Sequence, residues 1–175
     1  MSKPSPRLSG QSSPWPGAVL PFALPGQPLW LAIYTTHSGG ALCSIDIVPA
    51  PAVPLGPSTA LAETVARQLE AYLQDPQRPF DLPLQMQGSE FQQRLWSALR
   101  AVPVGTTQTY GQLAQALRSG AQAVGQACRR NPVPIVVPCH RILAQSGIGG
   151  YAGAVAGEQL CIKRALLAHE GVVCG

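Results

Sequence analysis

The sequence predicts an α+β chain: a small sheet covered by a helix, followed by a mostly helical half. Three observations carry that prediction. Two apolar, β-prone runs, Leu29 to Tyr34 and Ala41 to Val48, flank Gly39-Gly40 and read as paired strands around a turn. A break rich in Pro and turn formers, Asp75-Pro76 to Pro83, follows the next helical pattern. Beyond it, stretches of helical periodicity open at Ser89 and Thr109, and a third follows Ser119-Gly120.

Residues 1–27 are rich in Pro, Ser and Gly and carry Lys3 and Arg7, a composition that predicts a flexible leader. An N-terminal α/β domain is expected over 28–84. After its two strands, Pro49 to Pro57 forms a connection, and Ser58 or Thr59 can cap a helix. Its Leu61, Val65, Leu69 and Tyr72/Leu73 recur at helical spacing, so this helix should cover the sheet. The second domain is expected over 85–175. There Ser89 can cap a helix with Phe91, Leu95, Trp96 and Leu99 on one face, ended by Pro103 and Gly105. Thr109 can cap Tyr110 to Leu117, with Leu113, Ala114 and Leu117 as its apolar stripe. A further helix runs from Ala121 to near Arg130 and is rich in small residues: Ala121, Ala123, Gly125 and Ala127. Two short helices around a tight Gly turn fit a helix-turn-helix, and small residues let the second one approach a ligand backbone. The same small residues equally suit ordinary helix packing.

At 175 residues and 46% hydrophobic content the chain can bury a real core. Twelve Lys+Arg against eight Asp+Glu give a net charge of +4, compatible with a polyanionic partner without demanding one. Only 11% of residues are charged, so each basic residue of the second half, among them Arg118, Arg129, Arg130, Arg141, Lys163 and Arg164, carries more weight. Five Cys lie scattered at 43, 128, 139, 161 and 174 without a CxxC pair, which predicts neither a disulfide framework nor a zinc site, and a reducing compartment. No apolar run approaches the roughly 20 residues that span a bilayer, and the N-terminus lacks a signal core, so a cytoplasmic protein without a membrane partner is expected.

The chemistry concentrates in Ile135-Val136-Val137-Pro138-Cys139-His140-Arg141-Ile142. The β-branched run favours extended backbone, and Pro138 constrains its own φ and that of its predecessor, so Cys139 is expected at a fixed turn. A free thiol supplies little thiolate at neutral pH, so a nucleophilic role needs a base or a positive charge nearby, and His140 and Arg141 are the candidates. A buried, inert Cys is the alternative for an isolated thiol.

Five ordered motifs then resemble one family. They are Gly105-Thr106-Thr107-Gln108-Thr109-Tyr110-Gly111-Gln112-Leu113-Ala114, Ala123-Val124-Gly125, Asn131-Pro132-Val133-Pro134, Pro138-Cys139-His140-Arg141 and Leu166-Leu167-Ala168-His169-Glu170-Gly171. Together they resemble the O6-alkylguanine-DNA alkyltransferases, densely from Gly88 to Val172. The resemblance implies a small α/β, ribonuclease H-like domain followed by a mostly helical, winged helix-turn-helix-like one. It implies stoichiometric transfer of an alkyl group from O6 of guanine in double-stranded DNA to Cys139, with the base flipped into a pocket and O4-alkylthymine as a second candidate. It further implies that His140 deprotonates Cys139 through a water, that Glu170 orients and charges that His, and that Asn131 braces the turn. Tyr110 would assist departure of the guanine. Ile142, Tyr151, Ala152 and Gly153 would line the base pocket, and Gln122, Ala123, Ala127, Arg129, Arg130 and Arg141 would meet DNA. No metal or other cofactor is expected. The implied protein is a monomer, cooperative on DNA at most, and nucleoid-associated if bacterial.

The chain departs from the family pattern in three places. Gln122 stands where an Arg usually enters the vacated duplex position, Ala152 stands where Ser is common, and the loop between Gly153 and Lys163 is longer. Two other classes also use a Cys beside a His or this fold. A cysteine hydrolase needs an oxyanion hole and usually a His distant in sequence, which the motif does not offer. A lesion sensor of the alkyltransferase-like kind would carry a non-nucleophilic residue at the position of Cys139.

Overall fold

The computed structural model describes residues 16–152, 154 and 156–173. The chain divides into two compact units at Gln87/Gly88. In the first, β1 (Ala18–Leu24), β2 (Gln27–Thr35) and β3 (Leu42–Val48) form an antiparallel sheet in that spatial order. Leu31 at its centre pairs with Leu20 on one side and Ile47 on the other. The helix α1 (Ala60–Gln74) is capped by Thr59, whose hydroxyl accepts from the Ala62 amide at 3.1 Å. Its Val65, Leu69 and Tyr72 are buried and it packs on β1 and β2, with Tyr72 stacked on Phe22 at 6.4 Å between ring centroids.

The composition of residues 1–27 predicted a flexible leader, and over Ala18–Leu24 the structure corrects it to a strand. Ala18, Phe22 and Leu24 are buried, giving β1 an apolar face that composition averaging hides. Pro21 is tolerated because β1 is an edge strand and the residue points to solvent. Residues 1–15 of the expected leader lie outside the described residues.

The second unit holds α2 (Glu90–Arg100), β4 (Gln108–Thr109), α3 (Tyr110–Ala116), α4 (Ala121–Arg129), β5 (Ile142–Leu143) and α5 (Glu158–His169). Ser89 with Gln92, and Thr109 with Gln112, form reciprocal capping boxes that start α2 and α3 at the residues the sequence marks. Leu95, Trp96 and Leu99 form the buried face of α2. Trp96 fixes α2 against α4 by donating its indole N–H to the Ala127 carbonyl at 3.2 Å. A parallel pairing of β4 with β5 joins the start of α3 to the segment after Cys139. Among the described residues no helix is long and apolar enough to cross a membrane.

Ile135, Val136 and Val137, expected to be extended, form turns instead. Ile135 adopts φ +75°, a left-handed conformation that is strained for a β-branched residue, while its side chain is almost fully buried. Burial of the apolar run wins over β propensity, because the hydrogen bonds that close the turn satisfy its backbone.

Gly88, just ahead of the α2 cap, has no room for a side chain: a Cβ there would sit 2.7 Å from the buried ring of Trp96. Gly88→Ala should therefore destabilise the protein by about 1–3 kcal/mol through overpacking, read by urea unfolding. An unchanged midpoint would show that the indole is free to move.

Candidate active site

Cys139 opens a short 3-10 turn, Cys139–Arg141, directly after Pro138. Asn131 builds the approach to it. Its side-chain oxygen accepts from the Val133 amide at 3.0 Å, and its Nδ2 donates to the Val137 carbonyl at 2.7 Å and to the Cys139 sulfur at 3.3 Å. The first bond is an Asx turn that starts the loop, and the other two tie its far end to the thiol. The residue expected to brace the turn is thus in direct contact with the sulfur.

Behind the turn lies a buried charge cluster. Glu170, the C-cap of α5, accepts from His140 Nε2 at 2.9 Å, and from Arg141 through Nε at 2.8 Å and Nη2 at 2.9 Å. Arg141 also donates through Nη1 to the Val102 carbonyl just past α2. Gly171 at φ +79° ends α5 here, because the Gly171 and Val172 amides turn back to Ala168 and Leu167 in a Schellman motif. Burial works to raise the Glu170 carboxyl, but the hydrogen bonds from His140 and Arg141 outweigh it and hold the group well below the usual carboxylate range. For His140 burial dominates over the attraction of Glu170 and pushes the imidazole below its ordinary value, so it is neutral at pH 7. Its Nδ1 is buried without a hydrogen-bond partner.

Cys139 itself is only 7% exposed, and burial pushes its thiol up. The Asn131 hydrogen bond, the charge of Lys163 and a hydrogen bond to its own backbone act in the opposite sense. The sulfur faces a cavity of about 350 Å³. Tyr110 from α3, Ala121, Gly125 and Cys128 from α4, and Gly150, Tyr151 and Ala152 from the loop before α5 line it. Tyr110 donates its hydroxyl to the Gly150 carbonyl at 3.1 Å, and burial raises its phenol so that it stays protonated.

The structure brings Cys139, His140, Glu170, Asn131 and Tyr110 into one unit, with Tyr151 and Ala152 on the cavity wall. Gln122, Ala123 and Arg129 are exposed on α4, as is Arg130 at its C-cap, and Arg129 also reaches the cavity. Three expectations are corrected. Arg141, expected to meet DNA, is 6% exposed and its guanidinium is committed to Glu170 and Val102. Ala127, also expected to meet DNA, is buried under the Trp96 contact. Ile142, expected at the base pocket, is fully buried in β5 and is not on the cavity wall. Gly153 lies outside the described residues. The sequence names Lys163 only as a basic residue of weight and Cys128 only as one of the scattered thiols, and assigns neither to the site. The signal for Lys163 is its position on α5, in phase with buried Leu160, Leu166 and Leu167.

The family model of the 6-O-methylguanine DNA methyltransferase DNA-binding domain matches residues 90–172. A methylated-DNA–protein-cysteine methyltransferase of Methanosarcina acetivorans is 43% identical over 109 residues, covering 61% of this chain and 67% of its own. The chain thus spans about two thirds of the length of curated relatives that it matches. Among solved structures, the O6-methylguanine methyltransferase of Mycobacterium tuberculosis superposes with a TM-score of 0.68 at 33% identity, covering 87% of this chain and 91% of its own. The structure of Mycobacterium tuberculosis OGT in complex with DNA gives a TM-score of 0.64 at 34% identity, covering 82% and 86%.

Removing the charge of Glu170 strands the buried Arg141. Glu170→Gln should cost about 3 kcal/mol at neutral pH, measured by urea unfolding. The folded carboxyl titrates below the unfolded one, so its stabilisation is complete above the unfolded range and is lost as pH falls toward the folded one. The gap between wild type and Glu170→Gln should therefore close below about pH 4. A gap independent of pH would show that the ion pair is not its source.

Proposed function

The chain belongs to the 6-O-methylguanine DNA methyltransferase family, and from that premise we propose that it repairs alkylated DNA by moving the alkyl group from O6 of guanine onto Cys139. The observation that carries this reading is a thiol on a braced turn, facing a cavity large enough for a purine and backed by a His-carboxylate pair. The reaction is a displacement at carbon. The Cys139 thiolate forms the S–C bond as the C–O6 bond breaks, and guanine departs as an anion that takes up one proton, in net terms the one the thiol gave up, to become neutral. No metal or redox group is called on in this step.

Each role follows from local chemistry. The resting thiol is protonated because it is buried, so its proton must leave when substrate arrives. Neutral His140 is fit to take it through a water at Nδ1, and Glu170 stabilises the imidazolium so formed. Arg141 keeps Glu170 ionised and fixed in orientation, a role in place of the expected DNA contact. Tyr110 keeps its proton and can turn its hydroxyl from Gly150 toward the departing purine.

A base in a duplex cannot reach this cavity while stacked, so the reading includes base flipping, at a cost of a few kcal/mol. In it α3 and α4 act as the helix-turn-helix of a winged helix-turn-helix-like second domain, and the first domain is ribonuclease H-like. Exposed Gln122 would fill the vacated position, Ala123 would let the helix approach, and Arg129 and Arg130 would meet phosphates. O4-alkylthymine offers the same alkyl–oxygen bond on a smaller ring and is the second candidate substrate.

Mixing the protein with a duplex carrying one O6-methylguanine should add one methyl group to Cys139, stoichiometrically, as read by peptide mass spectrometry. Cys139→Ala should bind the lesion and take no methyl. Binding without transfer in the wild type would make the protein a lesion sensor instead. Gln122 adds no charge to the duplex interior, so Gln122→Arg should speed repair of a duplex substrate by about fivefold, equivalent to roughly 1 kcal/mol. An unchanged single-turnover rate would remove Gln122 from that role.

A further inference from the structure

The helix α3 ends in a Schellman motif: the Arg118 amide donates to the Gln115 carbonyl at 3.1 Å and the Ser119 amide to the Ala114 carbonyl at 2.8 Å. The motif needs a left-handed residue directly after the C-cap Leu117, and Arg118 takes that position with φ +51°. The same motif ends α5, where the residue is Gly171 at φ +79° and the conformation is free of strain. In an arginine it presses Cβ toward the following carbonyl oxygen. Gly120 stands two residues on, so this turn has its glycine, but not at the position that calls for one. Nothing within the fold offsets the strain. Arg118 is exposed, and among the described residues its guanidinium makes no hydrogen bond and no ion pair. The negative end of the α3 dipole is already met by Arg94 of α2, whose Nη2 donates to the Leu117 carbonyl at 3.4 Å. Two guanidiniums thus stand at one corner, and the fold uses one of them.

We propose that Arg118 is a phosphate anchor, its strained backbone holding an uncommitted guanidinium at the corner between α3 and α4, where it meets the backbone of duplex DNA. The inference rests on the reading of α3 and α4 as a helix-turn-helix that docks on a duplex. In that arrangement the corner leads into the helix that approaches the groove, and Arg118 lies four residues ahead of Gln122. Charge complementarity favours a polyanion as the occupant. No Asp or Glu occurs between Glu90 and Glu158, and that stretch carries the exposed Arg94, Arg100, Arg118, Arg129 and Arg130. A phosphate contact of this kind fixes the protein on the duplex and reads neither base sequence nor lesion. The strain at Arg118 is then the cost of aiming a cation outward from a position where glycine would serve the fold better.

The test separates the two effects of the residue in the full chain. Arg118→Gly relieves the strain and removes the cation, so its unfolding equilibrium constant should fall about threefold in urea titration. The same variant should bind an unmodified duplex about fivefold more weakly near 0.1 M salt, and the slope of its log binding constant against log salt should be shallower by about 0.9. Arg118→Lys keeps the charge and the strain, so it should keep the wild-type slope and the wild-type stability. The loss on Arg118→Gly should be equal for a duplex carrying one O6-methylguanine, and methyl transfer at saturating protein should be unchanged. An Arg118→Gly protein with the wild-type affinity and salt slope overturns the proposal, and so does a loss confined to the lesion duplex. Methyl transfer is measured alongside. A wild type that binds duplex DNA and takes no methyl defeats the transferase reading and leaves the anchor standing, one that binds no duplex defeats both, and one that takes the methyl while Arg118→Gly binds as it does defeats only the anchor.

Discussion

Glu170 is where the second unit is held together and where its chemistry is set. Its carboxylate accepts from His140 and doubly from Arg141, and Arg141 in turn donates to the carbonyl of Val102. One buried anion therefore locks the end of α5, the Cys139 turn and the segment after α2 into a single arrangement. Burying three ionisable side chains is unfavourable unless each is matched, and the bidentate Arg geometry supplies the match. The Schellman ending at Gly171 places the carboxylate, because one more helical turn would carry residue 170 away from the cluster.

The same burial that makes this cluster strong works against the thiol beside it. A desolvated sulfur prefers its proton, which protects it from casual oxidation and alkylation, yet transfer needs the thiolate. The structure sets three features against that preference. Asn131 donates to the sulfur, Lys163 brings a positive charge, and His140 offers an unpartnered buried nitrogen as a proton acceptor. In the proposed reaction the proton leaves only when an alkylated base has closed the cavity. Reactivity is then tied to substrate binding and not to the resting state.

Much of the architecture is legible in the sequence because it is written in local signals. Ser89, Thr59 and Thr109 cap the helices they mark, and the period of Leu95, Trp96 and Leu99 gives the buried face of α2. The β2–β3 pair follows from apolar runs around Gly39-Gly40. What was not legible depends on long-range partners. The strand β1 hides among Pro and Gly because its apolar positions gain meaning only against β2 and α1. The turn at Ile135 defies the β preference of three branched residues, since Asn131, four residues earlier, supplies the hydrogen bonds that hold it. Arg141 looks like a nucleic-acid contact in a chain poor in charge, and only the placement of Glu170, distant in sequence, turns it inward. Lys163 stands in the same case: its helical phase puts it in the core, but its carbonyl partners come from segments without regular pattern.

The helix α4 shows how few residues the proposed function needs once these constraints are met. Its inner side is fixed by Val124, Ala127 and Cys128, buried under α2 and α3, so its outer side is held in place without any bound partner. Gly125 and Ala121 leave the cavity wall bare, and a Cβ at Gly125 would meet nothing within 4 Å. A wall of that kind admits an aromatic ring without side chains having to move. Gln122 and Ala123 near the start of α4 and Arg129 and Arg130 at its end are exposed, and Ala121, Gln126 and Arg129 line the cavity. A rigid helix that is small at the cavity and basic at its end can meet a charged backbone and admit an extruded base at once. Helix packing and close approach to a ligand backbone compete as readings of the same small residues in the sequence; the structure shows the packing side, and the proposed function assigns the exposed side to the ligand.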